Sequence, residues 1–190
     1  NLFEIGHSLA RQYGPEPWTL YKGAHLLSFV DNHDVTRIAS KLRDPAHLPL
    51  IYALLFGMPG TPALYYGSEW GISGEKAPCS DAGLRPALEK PEWNALTSWI
   101  ARLAAARRGS PALREGSYRN VLLTNLQLIF ERRTETERVL VAVNADSQPY
   151  TAHFDAGCGL AWDLISGQQH DFGGGSQLPP YSAFFWKMER

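Results

Sequence analysis

The pattern of apolar residues changes near residue 110, and this change constrains the fold more than any other feature of the sequence. Before it, short apolar runs alternate with longer segments of helical periodicity, which is typical of β-α-β-α units around a parallel sheet. After it, turn residues separate short apolar runs, which predicts antiparallel strands. We therefore expect an α/β part over residues 1–108 and an all-β part over residues 109–190.

The α/β part is predicted to consist of two short strands and three helices. Gly14 and Pro15 end the first helix, whereas Asp44 and Pro45 provide an N-cap and a first helical residue for the second. Arg107 lies where a cation suits the negative end of the third helix. The predicted elements, in chain order, are a helix over residues 2–13, a strand over residues 26–30, a helix over residues 46–56, a strand over residues 61–66 and a helix over residues 92–107.

The all-β part is predicted to form an antiparallel β-sandwich of about 80 residues, because each apolar run is bounded by turn chemistry. The mixed charges of residues 131–138 predict a solvated hairpin tip, and the three glycines of residues 173–175 predict a loop. The predicted strands cover residues 117–123, 126–132, 139–144, 151–154, 161–164 and 182–187.

Charge and composition exclude several classes of function. With 18 basic and 19 acidic residues, the net charge of -1 predicts neither a nucleic-acid partner nor an anionic membrane partner. The chain has no run of about 18 apolar residues, so no membrane-spanning helix is predicted. Cys79 and Cys158 are too few for a disulfide framework or a zinc site, and the histidines lack metal-ligand spacing. These residues therefore predict no zinc site.

Several reactive side chains follow the first predicted strand directly. Asp31, Asn32, His33, Asp34 and Arg37 lie within seven residues, at the point where this apolar run ends. The carboxyl ends of parallel strands are where α/β folds build their sites. As an alternative, Asp31 and Asn32 cap a turn and His33 packs in the core, but so many polar groups at one strand end favour a functional site.

The segment FVDNHD of residues 29–34 resembles the pattern F-x-D-N-H-D of the α-amylase superfamily, glycoside hydrolase family 13. PALYYGSEWG of residues 62–71 is similar to its P-x-x-Y-Y-G-D-E-x-G segment, and DAGLRP of residues 81–86 to its D-P-x-x-R-x loop. The resemblance implies the C-terminal βα units of a (β/α)8 TIM barrel, strands seven and eight with their helices, followed by a β-sandwich domain C. A complete barrel needs about 250 residues, so this chain holds only part of one.

The resemblance also implies roles for individual residues. Asp34 matches the family's third essential carboxylate, which stabilises the transition state, and His33 matches a histidine that hydrogen-bonds the sugar. Asp81 and Arg85 match a pair that contacts sugar on the non-reducing side. Arg37 is expected to orient carboxylates at the floor of the site and is counted with the substrate-binding residues.

Two residues depart from the family pattern, and both lie in the loop of residues 68–90, which puts the detailed shape of that loop in question. Ser68 replaces the usual aspartate before Glu69, and Ala82 replaces the usual proline. The larger departure concerns the nucleophilic aspartate and the acid/base glutamate, which the family carries on earlier strands. We therefore expect this chain, taken alone, to be inactive.

The function implied is that of a retaining α-glucan hydrolase of the cyclomaltodextrinase, neopullulanase or α-amylase type. Its expected substrates are starch, maltooligosaccharides or cyclodextrins with α-1,4 or α-1,6 bonds. The resemblance implies no organic cofactor, and because the family's calcium sites lie mostly upstream, we expect no metal in this chain. The expected protein partner is the missing N-terminal barrel part or another copy of the chain. A non-catalytic amylase-like protein and a carbohydrate-binding module remain alternatives, although Asp34 and His33 favour the enzyme.

Overall fold

The computed structural model describes residues 1–189, and its elements follow the two-part pattern of the sequence. Three short 3₁₀ helices accompany the α-helices in the described residues, at Pro45–His47, Ser68–Trp70 and Ala82–Leu84. No helix among residues 1–189 is long and apolar enough to cross a membrane. All five α-helices and the two strands among them lie within residues 1–115 of the described chain. They are α1 (Leu2–Tyr13), β1 (Leu27–Ser28), α2 (Ile38–Lys41), α3 (Leu48–Gly57), β2 (Thr61–Pro62), α4 (Ala95–Gly109) and α5 (Pro111–Glu115).

The strands β1 and β2 form a parallel pair, as the alternation of strands and helices predicts. Thr61 N–H donates to the Leu26 carbonyl, and Ala63 N–H donates to the carbonyl of Ser28, each at 2.7 Å. Both strands are shorter than predicted: β1 and β2 have two residues each, within the predicted ranges 26–30 and 61–66. The burial expected for the first strand is not observed: Leu27 and Phe29 are 66% and 48% exposed, since no described strand covers that face.

Helix starts and ends follow local chemistry. The Asp44 side chain accepts from Ala46 N–H, so the predicted cap is confirmed, although the first turn is 3₁₀ and α3 begins at Leu48. Helix α4 begins three residues later than predicted, where Asn94 and Thr97 form a reciprocal capping box.

The all-β part contains one six-stranded antiparallel sheet, in the order β3-β4-β5-β10-β7-β8, and a two-stranded antiparallel pair, β6-β9. The six predicted strands are present within about two residues of their predicted ends. The three-residue strands β8 and β9 were not predicted, because neither has the apolar alternation that marks a strand. The strands are β3 (Ser117–Leu123), β4 (Gln127–Arg133), β5 (Arg138–Asn144), β6 (Tyr150–Ala152), β7 (Leu160–Asp163), β8 (Gln169–Asp171), β9 (Ser176–Leu178) and β10 (Ser182–Met188).

The central strands of the six-stranded sheet are buried on both faces. Strand β5 shows the pattern: Val141 packs with the helices, whereas Leu140 packs towards the β6-β9 pair. On the helix side, Leu9 of α1, Leu55 of α3 and Leu103 of α4 belong to the same apolar cluster as Val141. The helices and the sheet therefore share one core.

Two buried arginines join the α/β part to the sheet at the C-terminal end of α3, a region that we call the α3 junction. Arg107 donates to the carbonyls of Phe56 and Met58 at 2.8 and 3.0 Å. Arg132 donates to the carbonyls of Gly57 and Gly116, both at 2.8 Å. Cations at this position complement the negative end of the α3 dipole.

The α3 junction corrects two expectations. Residues 131–138 do not form a uniformly solvated tip, because Glu131 and Arg132 are only 5% and 1% exposed. The turn itself is confined to residues 134–137, where Thr134 N–H donates to the Glu137 carbonyl. Arg107 serves the end of α3 rather than the end of its own helix, since its guanidinium reaches the α3 carbonyls.

Candidate active site

Asp31 connects the two loops that follow β1 and β2. Its side chain is 2% exposed. One carboxylate oxygen accepts from Ile38 N–H at 2.8 Å, and the other accepts from the Ser68 hydroxyl at 2.7 Å. Asp31 is therefore structural: it closes the turn that contains His33 and Asp34, and it attaches that turn to the loop after β2.

Arg37 lies beneath the site rather than on its surface. It is fully buried, and it donates to the Tyr66 carbonyl, the Ser68 hydroxyl and the Leu84 carbonyl at 2.8–2.9 Å. Its guanidinium also lies 4.2 Å from the centre of the Tyr65 ring. The structure therefore places Arg37 as a support for both loops, and not among residues that a ligand can reach, because the side chain has no access to solvent.

Ser68 stands where the family pattern has an aspartate, and its contacts explain how the chain accommodates the change. The hydroxyl donates to Asp31 and accepts from Arg37, so a neutral group connects an anion and a cation. The backbone carbonyl of Ser68 accepts from the buried Tyr52 hydroxyl at 2.9 Å. Burial raises the pKa of Tyr52, as does the nearby charge of Asp31, so this hydroxyl stays a donor.

The structure brings four of the five predicted site residues together, although two of them are about fifty residues away in the sequence. His33 Nε2 lies 3.2 Å from Asp34 Oδ2. Arg85 Nη2 lies 3.9 Å from Asp34 Oδ1 and 3.4 Å from Asp81 Oδ2. Their side chains are 37–63% exposed. Two carboxylates and two nitrogen donors thus face solvent on the loops that follow the two parallel strands.

Lys76 is a member of this group that the sequence did not reveal. Its Nζ forms an ion pair with Asp81 Oδ1. We call His33, Asp34, Lys76, Asp81 and Arg85 the loop cluster. Lys76 lies between two motifs and belongs to neither, so only its spacing of five residues from Asp81 could have suggested the contact.

The pKa of the Asp81 carboxyl is lowered, first by the hydrogen bond from Lys76 and further by the charges of Lys76 and Arg85. Asp81 is therefore ionised at neutral pH and acts as an acceptor. The loop cluster alternates acceptors and donors, which suits a neutral ligand rich in hydroxyl groups. Within residues 1–189, no three potential metal ligands lie close enough to hold an ion.

Comparison with known proteins gives relatives for both parts. The family model described as "Alpha amylase, catalytic domain" matches residues 17–138. A cyclomaltodextrin glucanotransferase from Bacillus sp. (strain 38-2) is 30% identical over 152 residues, which cover 78% of this chain and 20% of that protein. The corresponding enzyme from Geobacillus stearothermophilus is 30% identical over 122 residues, covering 64% and 17%. The chain thus spans about a fifth of the length of these relatives.

Solved structures show the same similarity. The protein Ttha1563 from Thermus thermophilus is 33% identical with a TM-score of 0.70, covering 84% of this chain and 35% of that one. The cyclomaltodextrin glucanotransferase CldA is 27% identical with a TM-score of 0.76, covering 87% and 37%. An Anoxybacillus α-amylase, at 21% identity, shares the fold over 98% of this chain and 45% of its own, with a TM-score of 0.79.

The matched residues 17–138 make up more than half of the chain and include every member of the loop cluster. The similarity therefore covers the side chains that could contact a ligand as well as the fold around them. On this evidence the chain belongs to the α-amylase superfamily, glycoside hydrolase family 13.

Proposed function

We propose that this chain is the C-terminal part of a retaining α-glucan hydrolase that acts on α-1,4 or α-1,6 glucosidic bonds. In this proposal, residues 1–108 supply the last βα units of a (β/α)8 barrel, and residues 109–190 form domain C. The parallel β1-β2 pair, the helices beside it and the antiparallel sheet that follows support this arrangement. The cyclomaltodextrin glucanotransferases among the relatives support an α-glucan as the substrate.

One observation carries the proposal: the loops after two parallel strands bring Asp34 to Arg85 and Asp81. Asp34 is 63% exposed and can accept hydrogen bonds from sugar hydroxyls. Those bonds strengthen as the ring distorts towards an oxocarbenium-like transition state, so a carboxylate held in place lowers the barrier. His33, 3.2 Å from Asp34, donates to a hydroxyl of the same sugar unit.

Asp81 and Arg85 bind the glucan chain on the non-reducing side of the cleaved bond. The ionised carboxylate accepts from a hydroxyl, and the guanidinium donates to neighbouring oxygens through its fork of N–H groups. Because the 3.4 Å pair is half exposed, its attraction adds little to stability. Its value lies in holding donor and acceptor at the spacing of vicinal hydroxyls.

Retaining hydrolysis needs two further carboxyl groups about 5–5.5 Å apart on either side of the bond, one as nucleophile and one as acid/base. In this proposal neither Asp34 nor Glu69 takes those roles, so an upstream polypeptide segment supplies both. The exposed apolar side chains of Leu27 and Phe29, which lie two residues apart in β1 and directly after it, belong to the face against which that segment, or another copy of the chain, packs.

The test compares the 190-residue chain with the full-length protein that carries it. Each is incubated with maltoheptaose, cyclodextrin and pullulan, and the release of reducing ends is measured together with the mass in solution. We expect turnover by the full-length protein only, and self-association of the 190-residue chain. Turnover by this chain within tenfold of the full-length protein would disprove the missing-carboxylate argument, and an inactive full-length protein would disprove the hydrolase.

A further inference from the structure

The segment that carries Lys76 is fastened to the loop after β1. Arg37 N–H donates to the Gly74 carbonyl at 2.8 Å, and Gly74 N–H donates to the Ser40 hydroxyl at 2.9 Å. Lys76 N–H donates to the Thr36 hydroxyl at 3.0 Å. The Lys76 backbone is therefore held by the same loop that presents Asp34, unlike that of an ordinary surface lysine.

The same segment also lies against the turn between Asp81 and Arg85. A Cβ added to Gly74 would lie 2.2 Å from the Gly83 carbonyl, so only glycine permits this approach. Three chain segments are thus held together, and each contributes charged groups to the loop cluster. Lys76 is the only one of these contributors that the proposed function has not used.

The Lys76 ammonium has unused hydrogen-bonding capacity. Among the described residues, one contact is formed, the ion pair with Asp81 Oδ1, and the side chain is 43% exposed. An ammonium carries three N–H donors, so two are open to solvent or ligand. The position resembles that of Arg85, which contacts the other Asp81 oxygen and is 48% exposed.

We propose that Lys76 is a third substrate-binding residue beside Asp81 and Arg85, donating to a hydroxyl of the glucose unit that this pair holds. This inference rests on the proposed function and extends it, since it assigns a glucan contact to a residue outside the family motifs. The carboxylate of Asp81 then lies between two cationic donors, so a sugar with two adjacent hydroxyls meets donor, acceptor and donor in succession.

The test measures maltoheptaose binding by calorimetry and hydrolysis by steady-state kinetics in the full-length protein. Lys76→Met should raise Kd and KM about tenfold, as expected for loss of one charge-assisted hydrogen bond. Lys76→Arg, which keeps a cationic donor, should restore most of the affinity. Lys22→Met, a change of an exposed lysine in the loop before β1, is the matched control and should alter neither constant.

Repeating Lys76→Met in an Asp81→Asn background separates a direct contact from an effect through Asp81. A direct contact predicts that Lys76→Met still weakens binding several-fold there; no effect in that background would overturn the proposal. Unchanged Kd and KM in the single variant would overturn it while leaving the hydrolase intact. Weakened binding in a protein without turnover would instead support Lys76 and disprove the hydrolase, and a wild type that neither binds nor cleaves would disprove both.

Discussion

The loop cluster and the α3 junction both hold groups of charged residues, but they differ in exposure and in partners. In the loop cluster, Asp34 and Arg85 are 63% and 48% exposed, and their closest approach is 3.9 Å. At the α3 junction, Arg107 and Arg132 are almost completely buried, and their donors meet backbone carbonyls at hydrogen-bond distance. The charged side chains of the loop cluster are therefore accessible to a ligand, whereas the guanidinium donors at the α3 junction are engaged by backbone carbonyls of the protein.

This difference separates recognition from stability. Exposed ion pairs add little free energy to folding, so the loop cluster can be altered without unfolding the protein. A buried guanidinium loses its hydration, and burial lowers the pKa of both Arg107 and Arg132. Removing one of them leaves buried carbonyls without donors, which is costly. Substitutions in the two regions should therefore affect different measurements.

The largest effect is expected for Asp34. In the full-length protein, Asp34→Asn should lower kcat by a factor on the order of 10²–10³ or more, because it removes an acceptor aligned with the transition state. His33→Ala should cost less, since it removes a single hydrogen bond. The thermal midpoint should stay close to that of the wild type because the side chain is exposed. Turnover near the wild-type rate would refute the role assigned to Asp34.

The next effect concerns the α3 junction. Arg132→Met should reduce the free energy of unfolding by about 2–4 kcal/mol, because the Gly57 and Gly116 carbonyls lose their donor while the apolar stem is kept. Its neighbour Arg133 is exposed, so Arg133→Met is a matched control and should change stability by less than about 0.5 kcal/mol. Urea denaturation measures both, and equal effects would contradict the comparison.

Ser68 shares a property with each region: it is buried, like the arginines of the α3 junction, and it supports the loops that carry the loop cluster. Ser68→Asp would place a carboxylate next to the buried Asp31, whose oxygen lies 2.7 Å from the present hydroxyl. We expect a loss of about 2 kcal/mol or more, as for two like charges in one site. Adding Asp31→Asn should recover much of it, because the new carboxylate then faces Arg37 alone. Equal losses in both backgrounds would exclude the Asp31 contact as the cause.

The smallest effect is a pH dependence of stability. Burial by itself raises the pKa of Glu131, but the hydrogen bonds from Arg138 and Arg119 outweigh it and lower the pKa overall. Because the pKa is lower in the folded state, the ionised carboxylate stabilises the fold at pH values above the ordinary glutamate pKa of about 4.3. This contribution is lost as the pH falls through the pKa of Glu131 in the folded protein. Glu131→Gln should therefore flatten the decline in melting temperature as the pH is lowered from neutral into the acidic range.

The exposed Glu135, on the turn of the same hairpin, supplies the control for this measurement. Glu135→Gln should leave the slope of melting temperature against pH as it is in the wild type. If Glu131→Gln leaves the slope unchanged as well, the buried ion pair does not contribute to the acid sensitivity.

Local patterns in the sequence predicted most of the elements and part of the site. The apolar run of residues 139–143, bounded by turn residues, marks β5. Asp44 marks the start of the second helical segment, and both signals act over a few residues. The polar run after β1 identified His33 and Asp34 for the same reason. Lys76 was missed because its only signal was a spacing of five residues from Asp81, and the path of the loop, rather than a helix or strand period, turns that spacing into a contact.

The sequence by itself therefore determined the order of the three long helices and of eight strands, the break near residue 110 and the chemical types available at the strand ends. Tertiary structure decided which of these groups are accessible. Arg132 was expected on a solvated hairpin tip and Arg37 beside the carboxylates of the site, but packing buries both and gives them carbonyl partners. Periodicity reports the environment of an element's faces over a few residues, whereas burial and pairing depend on segments that are far apart in the chain and meet only in the folded protein.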